Sequence, residues 1–270
     1  MTFKDLADKA QHRFGTKIMI ARVGNQYHEL SDEYNGEENV EFLDMTSSEG
    51  MAAYKKSMLF VMLKAFHDLY HDTNVQVMFA LGPATYIEAD MDITDDVIEA
   101  VRAKMTEIIN KDYVFQKETI STTKAIAHFK EYGMAAKAKA FEYRRTSTTN
   151  VYKLGHFENY FYGDLVYSTN YLSVFDVRKY KDGFVLICPE ATNPTEITFN
   201  GVYDKLYERL KTTSTWAHNL NINSAGALND VIVNRKMSEL ILLQEAVMES
   251  QMTVIAREVI TRGKKAVFIA

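Results

Sequence analysis

Cysteine is almost absent from this chain. Cys188 is the only one in 270 residues, so no intrachain disulfide can form and no thiolate zinc cluster can be built. That usage fits a reducing compartment. With no His or basic residue beside it in sequence, Cys188 itself reads as an inert small hydrophobe. Proline is nearly as scarce, at positions 83, 189 and 194, and there is no Gly/Ser-rich linker or repeat, so domain boundaries must be read from changes of pattern. No apolar run approaches the roughly 20 residues that span a bilayer, and the start, Met1-Thr-Phe-Lys-Asp-Leu-Ala-Asp-Lys9, has no apolar signal-peptide stretch. The expectation is a soluble cytoplasmic protein with no membrane partner. An excess of basic charge is also lacking. The formal net charge of -5 argues against a protein whose main task is coating nucleic acid, while leaving room for a local basic groove. No P-loop, Ser-centred elbow or H-E-x-x-H occurs, so the residues offer no catalytic motif.

What is present is ordinary globular material, 47% hydrophobic and 25% charged, enough for two or three small domains. Residues 1 to about 45 read as a small α+β unit: a helix over 3–14, a strand over 17–23, a turn at Gly24-Asn25 and a strand over 40–45. From 48 to 71 the positions Met58, Leu59, Val61, Met62, Ala65, Phe66 and Leu69 recur at helical spacing, predicting one long amphipathic helix against a sheet. Strands are predicted over 75–79 and 85–89. Asp92-Ile-Thr-Asp-Asp96 then starts a helix running to about Asn110, its first turn acidic as the dipole favours. A further helix over 122–132 stops at Gly133. Between 151 and 187, dense aromatics and β-branched residues with turn signals at Gly155, Gly163 and Lys181-Asp-Gly183 predict several strands. Helices follow over 201–211, 225–233 and 236–261. The ending, Lys264-Lys-Ala-Val-Phe-Ile-Ala270, reads as a strand of the kind buried on both faces in parallel sheets, with the two lysines at its exposed start. A strand of that kind cannot satisfy its ladder alone, which predicts that the chain stops inside a further domain.

Several stretches carry a resemblance when taken in order. They are Ile20-Ala-Arg-Val-Gly-Asn25, Val40-Glu-Phe-Leu-Asp44, Thr46-Ser-Ser-Glu-Gly50, Ile108-Ile-Asn-Lys-Asp112, Tyr152-Lys-Leu-Gly155 and Tyr160-Phe-Tyr-Gly-Asp-Leu-Val-Tyr-Ser-Thr169. Their order resembles the long-form uridine-kinase-like proteins, in which a threonyl-tRNA-synthetase-like N-terminal half precedes a P-loop kinase. The resemblance implies an α+β chain with a β-grasp-like module over 1–47, an editing-like α+β domain over 48–197, a helical connector over 198–262 and, over 263–270, the first strand of a kinase domain. It further implies a parent enzyme that phosphorylates uridine or a similar nucleoside with ATP and Mg²⁺, while this segment is accessory, holds no cofactor and adjoins the kinase domain. A stand-alone adaptor that binds RNA or a small ligand is the alternative.

In editing-competent members of the resembling family, an H-x-x-x-H pair on the long helix and a C-x-x-x-H pair in the β-rich part converge as metal-type or hydrolytic groups. Placed on this chain, the pairs fall at Lys56 and Phe60 and at Phe161 and Leu165. None of these offers a neutral nitrogen or thiolate ligand, which implies a pseudo-editing domain without metal or catalytic residues. His67 and His71 form another i,i+4 pair, but they sit at a helix end with no third ligand evident, and are read as non-ligands. Arg144-Arg145 and the Thr/Ser run after it form a candidate anion-binding loop or a solvated one. Tyr160, Phe161, Tyr162, Tyr167 and Tyr171 offer faces for stacking on bases, or core packing for the half that a strand would turn inward. Any ligand groove is expected near Lys56, Arg144, Arg145 and Tyr162, between the long helix and the β-rich segment.

Overall fold

The computed structural model describes residues 1–37, 39–71, 73–131, 133–263 and 265. In chain order the elements are α1 (Phe3–Ala10), β1 (Ile18–Val23), β2 (Gln26–Glu29), β3 (Val40–Asp44), α2 (Ser48–Leu69), β4 (Val75–Leu81), β5 (Ala84–Ala89) and α3 (Asp95–Asn110). Then come β6 (Gln116–Ser121), α4 (Thr122–Glu131), α5 (Ala135–Glu142), β7 (Thr148–Leu154), β8 (Phe157–Asn159), β9 (Asp176–Tyr180) and β10 (Gly183–Ile187). Helices α6 (Asp204–Asn219), α7 (Ala225–Val233) and α8 (Met237–Arg262) complete the described chain. The class is α+β, with three small antiparallel sheets among the described residues. The chain forms two compact units, one from Met1–Ser121 with Thr148–Thr212, the other from Thr122–Ser147 with the described residues from Thr213 on.

The first unit begins with a helix capped from both sides. Thr2 accepts from the Asp5 amide, and the Asp5 carboxylate accepts from the Thr2 amide at 2.8 Å, satisfying two N–H groups that the first turn leaves open. The helix expected over 3–14 ends at Ala10 and tightens into one 3-10 turn over Gln11–Arg13. Beside it lies the sheet β2-β1-β3. Strand β1 serves two cores: Ile18 and Ala21 pack with Phe3, Ala7 and Leu30, while Met19 and Ile20 join the main core around α2. Strand β2 was not expected from the sequence. Gln26, Tyr27 and His28 lack the apolar alternation of a strand, and it is the hydrogen-bond ladder to β1 that holds them extended.

Helix α2 starts at Ser47, whose hydroxyl accepts from the Gly50 amide at 3.1 Å, and runs 22 residues through the main core. It covers one face of the sheet β4-β5-β10-β9, where Phe66 stacks on Phe184 at 5.0 Å between ring centroids. On the other face, Val185 and Ile187 pack with Tyr86, Leu81 and Tyr207 of α6. Strand β10 is therefore buried along its whole length, which explains why its sequence does not alternate in polarity. Helix α3 starts at its N-cap Thr94 and adds Ile98, Val101, Met105 and Ile108 to the same core.

The third sheet is β6-β7-β8. Strand β6 (Gln-Lys-Glu-Thr-Ile-Ser) is too polar for its strand character to show in the sequence. The β-rich segment also holds fewer strand residues than its aromatics suggested. Strand β8 ends at Asn159, whose side chain accepts from the Tyr160 amide at 2.8 Å, and residues 160–166 form a loop. The strand-alternation argument therefore does not apply to Tyr160, Phe161 and Tyr162.

In the second unit, Phe129 of α4 and Phe141 of α5 meet in T-shaped contact at 5.1 Å, and Gly226 of α7 lies against Lys139 and Ala140 of α5. Asp230 of α7 accepts from the Tyr143 hydroxyl and pairs with Lys139. Helix α8 has no buried residue among those described and leaves Leu242, Met248, Val254 and Ile260 exposed. The strand expected over 266–270, like Lys264, lies outside the described residues; Lys265 is exposed.

Candidate functional site

Steps of four, four and three residues separate Lys56, Phe60, Lys64 and His67, which places all four on one face of α2. The hairpin β7-β8 and the loop after it run along that face in the opposite direction. Gly163 lies against the Lys56 amine, and its φ of +93 is a backbone conformation that residues with a side chain rarely adopt. Phe161 and Phe157 flank Phe60 at 5.1 and 5.3 Å between centroids, and Phe115 meets it edge-on at 5.7 Å. Phe157 also reaches His67, at 5.2 Å. Next to Phe157 comes His156, at the hairpin tip.

Of the four positions that the resemblance assigns to hydrolytic groups, Phe60 and Phe161 pack on each other, Leu165 is buried in the same core and Lys56 lies against the loop over 160–166 at Gly163. Phe60 and Leu165 have no solvent exposure. The centre of the seam is closed by four phenylalanine rings, and a fully buried ring of this size contributes about 1.5–3 kcal/mol. Phenylalanine and leucine side chains carry neither a lone pair nor a base, and Lys56, the polar member of the four positions, lies against Gly163.

The loop carrying Phe161, Gly163 and Leu165 is pinned by two buried polar groups that sequence reasoning missed. Ser57 of α2 donates to the Ala53 carbonyl at 2.8 Å and accepts from the Val166 amide at 2.9 Å. Glu29, at the end of β2 and 2% exposed, accepts from the Leu165 amide at 2.8 Å and from the Tyr152 hydroxyl at 2.6 Å. Its other oxygen lies 3.1 Å from Lys117, which also pairs with Asp32 at 2.6 Å. Burial raises the Glu29 carboxyl above its ordinary range; Lys117, Tyr152 and Leu165 pull the other way without cancelling it. Burial also works against the Lys117 charge, but Glu29 and Asp32 outweigh it and hold the ammonium above the usual lysine range. No motif announces Glu29, because its partners are as much as 136 residues away in sequence.

Of the groove residues expected from sequence, Lys56 and Tyr162 belong to the first unit and Arg144 and Arg145 to the second. Tyr162 is 83% exposed. Arg144 lies over the Phe141 ring, 4.9 Å from its centroid, and donates from Nε to Thr146 at 2.9 Å, so it braces its own loop; Arg145 is exposed. Tyr167 and Tyr171 are partly buried against the α1 core. Cys188 is buried, which pushes its thiol up to about 12.

The far end of the α2 face is different. His67 lies in the last turn of the helix, and its ring is 5.2 Å from that of His71 and 6.2 Å from that of His156. Asp68 Oδ1 is 3.2 Å from His156 Nε2 and 3.7 Å from His67 Nδ1, while both Asp68 oxygens accept from Lys64, at 3.1 and 3.0 Å. Burial, reinforced by His71, lowers the His67 pKa. The third group that the His67/His71 pair lacks in sequence is thus present in space. It comes from a hairpin turn 88 residues after Asp68, in which Gly155 takes φ +64 so that His156 can stand at the tip.

No protein-family profile matches the chain. It is similar to threonine–tRNA ligases. That of Pelobacter propionicus is 23% identical over 176 residues, covering 64% of this chain and 28% of the relative. That of Hyphomonas neptunium is 26% identical over 141 residues, 51% and 21% respectively. That of Parabacteroides distasonis is 25% identical over 183 residues, 65% and 28%. The chain therefore spans less than a third of the length of these curated relatives.

Proposed function

We propose that this chain is a threonyl-tRNA-synthetase-like module that has lost hydrolysis and serves as the accessory N-terminal region of a uridine-kinase-like nucleoside kinase. The observation that carries the loss of hydrolysis is the closed seam. Phe60, Phe161 and Leu165 occupy three of the four positions where the resemblance places nitrogen and thiolate groups, and their side chains pack together or are buried. The fourth, Lys56, lies against Gly163. Deacylation needs a base or a metal-held water beside the ester, and neither fits among these rings. The similarity to threonine–tRNA ligases over about two-thirds of the chain supports the origin of the module. The order of its segments supports the kinase parent. Phosphoryl transfer requires a cluster of backbone N–H groups at a glycine-rich turn, a lysine, and groups that place Mg²⁺. The sequence holds no such turn, so ATP and uridine would be handled by another segment of the parent.

Two assays test the two halves of the reading. Purified chain incubated with mischarged threonine tRNA should leave the ester at its spontaneous rate; accelerated release of the amino acid overturns the loss of hydrolysis. ATP-dependent formation of uridine monophosphate should be absent from this chain and present in the product of the complete reading frame. Inactivity of both defeats the kinase parent and leaves an adaptor, for which RNA affinity lost on Lys56→Ala would then speak.

A further inference from the structure

We propose that His67, Asp68 and His156 form a binding site for a zinc-class divalent cation, which clips the C-terminal end of α2 to the tip of the β7-β8 hairpin. The site is separate from the closed seam. It lies seven residues beyond Phe60 on α2, about 10 Å along the helix axis. One ligand atom from each of the three residues lies within 4.8 Å of the other two. A point equidistant from three atoms that far apart is about 2.8 Å from each, and zinc bonds to imidazole and carboxylate are about 2.0–2.2 Å. Closing the site therefore takes less than an ångström of movement per ligand, at a hairpin tip where the His156 side chain is 71% exposed.

Three further features point to a cation. The His67 Nδ1 atom is shielded from solvent and makes no hydrogen bond, and its nearest carboxylate oxygen, at 3.7 Å, is too far to accept one. A buried lone pair or N–H without a partner costs free energy, and a metal beside it would remove that cost. The carboxylate is also supported from behind. Lys64, almost wholly buried, donates to both Asp68 oxygens, at 3.1 and 3.0 Å, and so fixes the carboxylate whose Oδ1 lies nearest the two histidines; ligating carboxylates are commonly fixed by such an outer hydrogen bond. Two imidazoles and one carboxylate suit zinc, cobalt, nickel or copper and not magnesium or calcium, which prefer all-oxygen shells. Exposed His71, beside His67, is the candidate for a fourth position. The proposed role is structural: α2 and the hairpin both belong to the first unit, and the cation adds a tether between them.

The test uses the tag-free full chain, stripped with chelator. Cobalt(II) should bind at one equivalent and give the visible absorption of a low-coordinate nitrogen/oxygen site, and zinc should displace it. His156→Ala, at an exposed position, should leave the circular dichroism spectrum unchanged and weaken cobalt binding at least tenfold. His67→Asn should do the same, and His71→Ala should weaken binding less. Zinc should raise the melting temperature of the wild type and not that of His156→Ala. Absence of stoichiometric cobalt binding overturns the proposal, and so does binding that survives both His156→Ala and His67→Asn.

Discussion

The two ends of one face of α2 carry the same H-x-x-x-H spacing in opposite condition. At 56 and 60 the pair expected from the resemblance is a lysine and a phenylalanine, and the hairpin opposite answers with Phe157 and Phe161. At 67 and 71 both histidines are present, and the same hairpin answers with His156. The fold is the same at both ends: one helix packed on one hairpin, so the scaffold does not decide whether a site exists. The side chains facing each other across the seam decide it. Where they are rings, the seam contributes to stability; where they are imidazoles and a carboxylate, it contributes little until something binds.

The comparison breaks most directly at Phe60. Truncating a ring packed among three others should cost about 4 kcal/mol in Phe60→Ala, from lost transfer energy plus the cavity left behind. Equilibrium denaturation in urea measures it. A loss under about 1 kcal/mol would show the seam to be collapsible, and the claim that packing has replaced chemistry there would fail.

Next in size is Glu29→Ala, which leaves Lys117 with Asp32 alone and strips a partner from the Tyr152 hydroxyl and the Leu165 amide. Removing one member of a buried ion pair costs about 3 kcal/mol, and the loop carrying Phe161 should loosen with it. Amide exchange at Leu165 reports on that loosening. Glu29→Gln separates charge from hydrogen bonding. The Glu29 carboxyl is raised above its value of 4.5 outside the fold, chiefly by burial, so the folded chain keeps its proton to a higher pH than the unfolded chain does. The stability tied to that proton is complete below about pH 4.5 and is lost as pH rises through the raised value. The wild type should therefore lose stability relative to Glu29→Gln as pH rises above about 4.5, while Lys117, held above the usual lysine range, stays charged. The opposite slope would mean that Lys117, Tyr152 and Leu165 outweigh burial.

Much of this architecture is legible in the sequence wherever the apolar period is strong. Helix α2 was expected over 48–71 and spans Ser48–Leu69; α7 was expected over 225–233 and spans Ala225–Val233. Strands β2 and β6 were missed because their residues are polar and only their neighbours hold them extended. The loop over 160–166 was read as strand because aromatic density suggests β-structure, whereas here the aromatics plug a seam. That Phe60 and Phe161 carry no ligand atom is plain from the sequence, whereas their packing against each other is not. The polar groups that shape the seam were not readable. Glu29, Ser57 and His156 act through partners more than 80 residues away, and no local pattern encodes such a meeting.

The smallest effect belongs to the histidine end, and it is the sharpest test of the contrast. In metal-free protein His156→Ala removes an exposed imidazole that is hydrogen-bonded to Asp68, a carboxylate already held by Lys64. Substitutions at such surface positions usually change stability by no more than about 0.5 kcal/mol. Without metal, then, the variant and the wild type should melt together, whereas Phe60→Ala, two turns before His67 on α2, should not. Adding zinc at 100 times its dissociation constant should separate them, because a ligand that binds only the folded state adds about 2.7 kcal/mol at that excess. If His156→Ala is costly without metal, the hairpin tip is held by the Asp68 hydrogen bond alone, and the two ends of α2 are alike in being packed rather than poised to bind.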